Sequence, residues 1–199
     1  MRSWVLSRII GLYGKMHTGK SSIASDMAAR WPNNVVVMSF AAKLRKVLHE
    51  LGIPETRESL QGVGQKLREF DSDVWITAVN SEVKESLSAG RTVVFDDLRY
   101  PNEFEYIRSL GGFLVKLYAD TDERWRRYGT SRKFDPATTK EAWMRQQEHL
   151  SETILDASSM DWNLDLDTSN MDIVNMNSVA TSLILSVAGL YKGNRLNDR

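Results

Sequence analysis

The residues with the clearest chemical signature form a short glycine-, lysine- and serine-containing segment near the N-terminus, residues 14–21. The segment follows the pattern glycine, four residues, then glycine, lysine and serine, which is typical of a phosphate-binding loop, or P-loop. Glycines let backbone N–H groups turn toward an anion, the Lys20 ammonium can reach β- and γ-phosphates, and the Ser21 hydroxyl can ligate Mg²⁺. The pattern therefore predicts a nucleoside triphosphate site. The residues expected to bind ATP here are Gly14, Lys15, Thr18, Gly19, Lys20, Ser21 and Ser22.

The flanks of this loop argue against a chance match. Residues 8–13 form an apolar run that predicts a short buried strand. After the loop, Ile23, Met27 and Trp31 recur at helical spacing. Strand, loop and helix thus follow one another in the order that a P-loop requires.

A second group of polar residues follows another apolar run, residues 91–95. Asp97, near the carboxyl end of this predicted strand, is expected to hold Mg²⁺ or a water bound to it; the alternative is a solvated or capping aspartate. Arg99 and Glu103 are four residues apart, so they can face one crevice as a phosphate clamp and its anchor. A surface ion pair is the alternative for these two residues.

Cationic residues crowd into residues 122–133 and predict a mobile lid, which would extend to about residue 150. They are Arg124, Arg126, Arg127, Arg132 and Lys133. Phosphoryl transfer between two anions needs cations at the transferring group and exclusion of water, and arginines on a closing loop supply both. The alternative is that these charged residues simply form a solvated face of the protein.

The alternation of predicted strands and helices indicates an α/β fold, a three-layer α/β/α arrangement with a doubly wound parallel five-stranded sheet. Phe40 is placed at the end of the second strand, residues 35–40. Three helical patterns follow before the next strand, more than one crossover needs, so residues of about 41–90 are expected to form a helical insertion that binds a substrate. One domain, residues 1–199, is expected, with its core in residues 7–40, 91–121 and 160–192.

Composition excludes several classes of function. Lys plus Arg (26) equals Asp plus Glu (26), so no global positive field favours nucleic acid or an anionic membrane. There is no cysteine for disulfides or thiolate catalysis, and the three histidines are scattered. We found no apolar stretch of membrane-spanning length, and we expect a cytoplasmic protein. The sequence leaves a homodimer open.

Taken together, the motifs resemble the bacteriophage deoxynucleoside monophosphate kinases, a branch of the P-loop nucleoside monophosphate kinase group. The similarity extends from residue 8 to about residue 175. Besides the P-loop it involves residues 39–45, 57–64, 73–75, 97–103, 111–112 and 149–152. Residues 165–170 depart from the family's turn before the last helix, so no adenine contacts are assigned.

The resemblance implies transfer of the ATP γ-phosphoryl group to a deoxynucleoside monophosphate, with Mg²⁺ held through Ser21 and Asp97. It implies catalytic roles for Lys20, Asp97 and Arg99. The acceptor-binding residues that it implies are Arg45, Arg57, Gln61, Trp75, Arg99 and Glu103. Two further arginines, Arg127 and Arg132, are expected to bind ATP. If the protein is phage-encoded, the host cytoplasm is the expected location. Two alternatives stay open, a kinase for another small metabolite such as phosphomevalonate, and a nucleotide-dependent binding or switch ATPase.

Overall fold

A computed structural model describes residues 8–131, 134–147, 153–156 and 160–187. In these ranges five strands form one parallel sheet in the order β2–β3–β1–β4–β5. The strands are β1 (Ile9–Tyr13), β2 (Val35–Met38), β3 (Thr92–Phe95), β4 (Phe113–Tyr118) and β5 (Leu164–Asp167). The predicted α/β fold with its parallel five-stranded sheet is confirmed.

Helices cover both faces of this sheet, as parallel crossovers require. They are α1 (Lys20–Arg30), α2 (Phe40–Glu50), α3 (Arg57–Phe70), α4 (Val74–Ser88), α5 (Pro101–Ser109), α6 (Thr121–Gly129), α7 (Lys140–Arg145) and α8 (Ile173–Val187). Within the described ranges, none is both long enough and apolar enough to cross a membrane.

The sheet separates two apolar cores. On one face α1 and α8 pack through Ile23, Met27 and Ile184, and on the other α2, α4 and α5 pack through Leu48, Val83 and Ile107. Strands β1 and β3 lie in the middle of the sheet and are buried along their whole length, which explains their continuous apolar sequences. Their carboxyl ends deliver the P-loop and the Asp96-Asp97 pair to the same edge.

One local prediction needs correction. Phe40 is not the end of a strand: β2 stops at Met38 and Phe40 opens α2. Its ring is buried and stacks on Phe95, with 4.3 Å between centroids, so it is a core residue. Part of the arginine-rich segment is helical, because residues 121–129 form α6, and Arg124 is buried within it.

Candidate active site

The P-loop connects β1 to α1 and is shaped by two glycines with positive φ angles. Gly14 has φ 149°, and a Cβ there would lie 2.4 Å from the carbonyl oxygen of Leu117. Gly19 has φ 105°, and a Cβ there would lie 2.4 Å from the sulfur of Met176. Only glycine lets the loop pass this close to β4 and α8.

Lys20 turns back over this loop. Its buried Nζ donates to the carbonyl oxygens of Gly14 and Lys15, the latter at 3.0 Å. Thr18 Oγ1 also donates to the Lys15 carbonyl, at 2.9 Å. The ammonium is therefore held across the mouth of the loop, where the N-terminus of α1 adds a favourable field for an anion.

The other residues expected to bind ATP have different surroundings. Ser21 and Ser22 line a cleft above the loop, and Ser22 Oγ donates to Asn177 Oδ1 at 2.9 Å. The Lys15 side chain points elsewhere and pairs with Asp156 at 3.6 Å. Gly14, Lys15 and Thr18 thus act in this structure on the shape of the loop.

The two aspartates after β3 have separate partners. Asp97 accepts hydrogen bonds from Ser39 Oγ at 2.5 Å and from the N–H groups of Phe40 and Ala41 at 3.0 and 2.9 Å. Asp96 instead lies beside the side chain of Ser21, and both border the same cleft. Burial raises the pKa of Asp96, and the Ser21 side chain and the Lys20 charge offset part of that rise. The sequence favoured Asp97 as the carboxylate for Mg²⁺, but Asp96 is the carboxylate next to the P-loop serine.

Two cavities open at this edge of the sheet. The first, of about 1130 Å³, runs over the P-loop and is called the P-loop cleft; it is bordered by Lys20, Ser21 and Asp96. The second, of about 580 Å³, lies among α2, α3 and the start of α4 and is called the helix pocket; it is bordered by Gln61 and Trp75. The residues that line both cavities are Met16, His17, Arg45, Asp97 and Arg99. The cavities therefore meet beside two arginines.

Most of the residues expected to bind an acceptor surround the helix pocket. Arg45 pairs with Glu55 at 2.9 Å. Arg57 donates to the carbonyl of Gln146 and has a guanidinium nitrogen 3.0 Å from the sulfur of Met16. Arg57 therefore joins the helical insertion to the end of α7 and to the P-loop.

Trp75 and Glu103 are more deeply buried than the other expected acceptor residues. The Trp75 indole packs in the core, and its Nε1 donates to the Gly64 carbonyl at 3.4 Å while the ring borders the helix pocket. Glu103 lines neither cavity. Its carboxylate accepts from the N–H groups of Arg99 and Tyr100 at 2.9 and 3.1 Å, so it is bound to the N-terminus of α5.

Sequence reasoning missed Arg68. It lies on α3, borders the helix pocket, pairs with Glu103 at 3.0 Å and stands 3.9 Å over the ring of Tyr100. A lone arginine between Leu67 and Phe70 of an amphipathic pattern carries no local signal for such a place. Tyr128 of α6 and Trp143 of α7, both within the expected lid, also border this pocket. The aromatic residues interleaved with the charges of the lid are the signal that could have indicated them.

The arginines of the expected lid differ in their roles. Arg127 is half-buried and donates to the carbonyls of His17, Thr168 and Met171, so it joins the P-loop to the segment between β5 and α8. Arg124 is buried and donates to the Ala119 carbonyl at 3.1 Å. Arg126 is exposed, pairs with Glu123 and borders the P-loop cleft. Arg132 lies outside the described residues.

Comparison with known families agrees with this architecture. A family model described as an AAA domain matches residues 10–156, about three quarters of the chain. The chain belongs to the AAA domain family. Comparison with curated proteins gives no significant sequence match.

Solved structures similar to this AAA-domain chain include several kinases. A sugar kinase from Janibacter sp. is 14% identical, with a TM-score of 0.56, over 97% of this chain and 99% of the other. A gluconokinase from Sinorhizobium meliloti is 17% identical, with a TM-score of 0.53, over 95% and 97%. A shikimate kinase from Bacteroides thetaiotaomicron is 14% identical, with a TM-score of 0.52, over 91% and 98%. At these identities the similarity establishes the fold, and the finer resemblance to deoxynucleoside monophosphate kinases stays a prediction.

The AAA-domain P-loop of this chain has donors that suit Mg²⁺. The Ser21 hydroxyl and the Asp96 carboxylate lie beside each other at the P-loop cleft, and hard oxygen donors of this kind are the ligands that Mg²⁺ prefers. Within the described ranges no group of three or more His, Asp or Glu side chains forms a cage for a metal ion. The residues therefore fit a cation that takes its remaining ligands from phosphate oxygens and water.

Proposed function

We propose that the chain is an ATP-dependent kinase that holds ATP in the P-loop cleft and a small phosphorylated acceptor in the helix pocket. The observation that carries this proposal is that the two cavities share Arg45, Asp97 and Arg99 on their common border. Two anions in these cavities would meet between the same arginines. This is the arrangement that phosphoryl transfer needs, since catalysis consists mainly of positioning and charge neutralisation.

The structural neighbours support the class of reaction. The Janibacter, Sinorhizobium and Bacteroides proteins bear the names of kinases, and each matches almost the full length of this chain. ATP as donor is in keeping with those names and with the P-loop.

The acceptor is proposed to be a deoxynucleoside monophosphate. Four arginines border the helix pocket, Arg45, Arg57, Arg68 and Arg99. Arginine forks suit phosphate oxygens. Arg68 is paired with the buried Glu103, whereas the pair of Arg45 with Glu55 is half-exposed and weak, so Arg45 is the better candidate to bind an acceptor phosphate. Trp75 adds aromatic surface suited to a flat base, whereas one face of the Tyr100 ring is covered by Arg68. The pocket volume lies in the usual range for small-molecule sites.

The transfer requires no protein base. An oxygen of the acceptor phosphate forms a bond to the γ-phosphorus of ATP, and the bond from that phosphorus to the β–γ bridging oxygen breaks, which leaves ADP and the deoxynucleoside diphosphate. Lys20 binds the β- and γ-phosphates, while Arg45 and Arg99 hold the acceptor phosphate in line. Mg²⁺, when bound, would neutralise charge on the β- and γ-phosphates, and we propose Ser21 and Asp96, rather than Asp97, as its protein-side donors.

A second candidate is a kinase for another small metabolite. The names of the structural neighbours favour it, because these neighbours are a sugar kinase, a gluconokinase and a shikimate kinase. The arginines of the helix pocket narrow this candidate to acceptors that already carry phosphate, such as phosphomevalonate.

A coupled assay for ADP tests the proposal. The purified protein is supplied with ATP, Mg²⁺ and one acceptor at a time: dAMP, dGMP, dCMP, dTMP, phosphomevalonate, gluconate or shikimate. We expect ADP above the blank without acceptor for at least one deoxynucleotide, and far less with the Lys20→Ala protein. Turnover with phosphomevalonate alone would establish the second candidate. No turnover with any acceptor, or hydrolysis of ATP that only DNA stimulates, would refute kinase activity of this kind.

A further inference from the structure

Asp97 is bound to the first turn of α2, which lies far from it in the chain. Its Oδ2 accepts from Ser39 Oγ at 2.5 Å and from the Ala41 N–H at 2.9 Å, and its Oδ1 accepts from the Phe40 N–H at 3.0 Å. Both oxygens of the carboxylate are thus used by one helix end.

The first turn of any helix has N–H groups without partners in the helix, and a side chain of the cap residue usually takes one of them. Ser39, the cap residue of α2, makes no such bond. Its hydroxyl donates to Asp97 instead, and Asp97 replaces it as the acceptor for the helix N–H groups. A carboxylate at this position is favoured because the hydrogen bonds are charge-assisted and the N-terminal end of the helix dipole is positive.

The position of α2 matters because α2 carries Arg45. Arg45 lies in the second turn of the helix and borders both cavities. Its ion pair with Glu55 joins two half-exposed side chains, and such pairs fix geometry weakly. The bonds at the start of α2, together with the stacking of Phe40 on Phe95, therefore tie Arg45 to the end of β3, next to Asp96 and the P-loop.

We infer that Asp97 is a positioning residue: it anchors the N-terminus of α2 to β3 so that Arg45 faces the acceptor phosphate. Asp96, beside Ser21, serves the triphosphate side of the same junction. The inference rests on the proposed kinase function and deepens it, because it assigns the neighbouring aspartates to different substrates.

The kinetic test compares Asp97→Asn with Asp96→Asn. We expect Asp97→Asn to raise the acceptor KM by about tenfold or more, because one to two charge-assisted hydrogen bonds are lost. The ATP KM should change by less than about threefold. Asp96→Asn should mainly lower kcat and raise the Mg²⁺ concentration needed for half-maximal rate. Asp161→Asn is the matched control on the surface and should change none of these values.

A double-mutant cycle separates positioning from a purely structural role. If Asp97 acts through Arg45, then Arg45→Ala should add little to the acceptor KM of Asp97→Asn, so the two effects are not additive. Ser39→Ala, which removes one donor to Asp97, should shift the acceptor KM in the same direction by a smaller factor. It also keeps the inference testable if Asp97→Asn does not fold. Additive effects, or an acceptor KM unchanged in Ser39→Ala and Asp97→Asn, would overturn the inference.

Amide hydrogen exchange distinguishes failure of this inference from failure of the proposed function. In Asp97→Asn the amides of Phe40 and Ala41 should exchange at least about tenfold faster than in the wild type, because their acceptor is weakened. This readout needs no enzymatic activity. If the wild type lacks kinase activity and exchange still accelerates, the proposed function fails and the anchoring of α2 stands. Unchanged exchange would overturn the anchoring itself.

Discussion

The carboxylate of Glu103 lies 3.0 Å from the guanidinium of Arg68, in the wall behind the helix pocket. The pKa of Glu103 is raised to about 7: burial and, after it, the nearby Asp97 charge raise the pKa, whereas Arg68 and the N–H groups of Arg99 and Tyr100 offset part of the rise. Burial therefore outweighs the hydrogen bonds and the ion pair.

This pKa predicts a specific dependence of stability on pH. The pKa of the folded state lies above the unfolded value of 4.5, so the stabilising contribution is full below about pH 4.5 and is lost as pH rises through about 7. The loss amounts to roughly 3 kcal/mol. Urea unfolding between pH 5 and 8 should show that the difference in unfolding free energy between wild type and Glu103→Gln shrinks or reverses as pH rises. A difference that is constant with pH would contradict the prediction.

Replacement of Lys20 tests the P-loop assignment. Lys20→Ala should lower kcat by about 10² to 10³, the usual effect of removing one preorganised cation or donor from a developing charge. The coupled assay measures it at saturating ATP and acceptor. Lys66→Ala is the control: this lysine is exposed on α3, pairs only locally with Glu69, and should behave as wild type.

Arg45→Ala should chiefly weaken acceptor binding. Loss of hydrogen bonds to a charged phosphate predicts a rise of about 10- to 100-fold in acceptor KM, with a smaller change in ATP KM. Arg108→Ala is a matched control, because Arg108 has nearly the same exposure (44% against 42%) and one close carboxylate partner, yet lies outside both cavities. Equal acceptor KM values for the two variants would show that the acceptor does not bind at Arg45.

Arg127→Ala should destabilise the protein. The guanidinium holds three carbonyl groups from the P-loop and from the segment before α8, so its removal should lower the unfolding free energy by about 2 kcal/mol. Its neighbour Arg126 also pairs with Glu123 but is 61% exposed, against 15% for Arg127, and Arg126→Ala should change stability by less than about 0.5 kcal/mol. Chemical unfolding of both variants measures the contrast, and equal losses would refute the joining role of Arg127.

The sheet and the P-loop could be predicted because their signals are local. Each buried strand is a continuous apolar run, and the residues of the loop are adjacent in the chain. The start of α2 could not be predicted in this way, since the β-branched run before it extends naturally to Phe40. The helix begins at Phe40 with Asp97 as its acceptor, and Asp97 lies 57 residues away in sequence.

The spacing of Arg99 and Glu103 illustrates the same limit. The two residues do meet, but Arg99 lies just before α5, and it is its backbone N–H that donates to Glu103, at 2.9 Å. The Glu103 side chain nevertheless lies in the wall of the helix pocket and lines neither cavity, because Arg68 of α3 supplies its counter-charge there. Nothing near Glu103 in sequence indicates that partner.

By itself, the sequence determined the order of strands and helices and the phosphate-binding loop, because backbone propensity, apolar periodicity and glycine spacing act between near neighbours in the chain. Only the tertiary structure decided which aspartate faces Ser21 and which anchors α2, and which arginines border the helix pocket. These assignments depend on hydrogen bonds and ion pairs between elements that are distant in the chain. Such partners are brought within reach of one another only when the sheet is assembled.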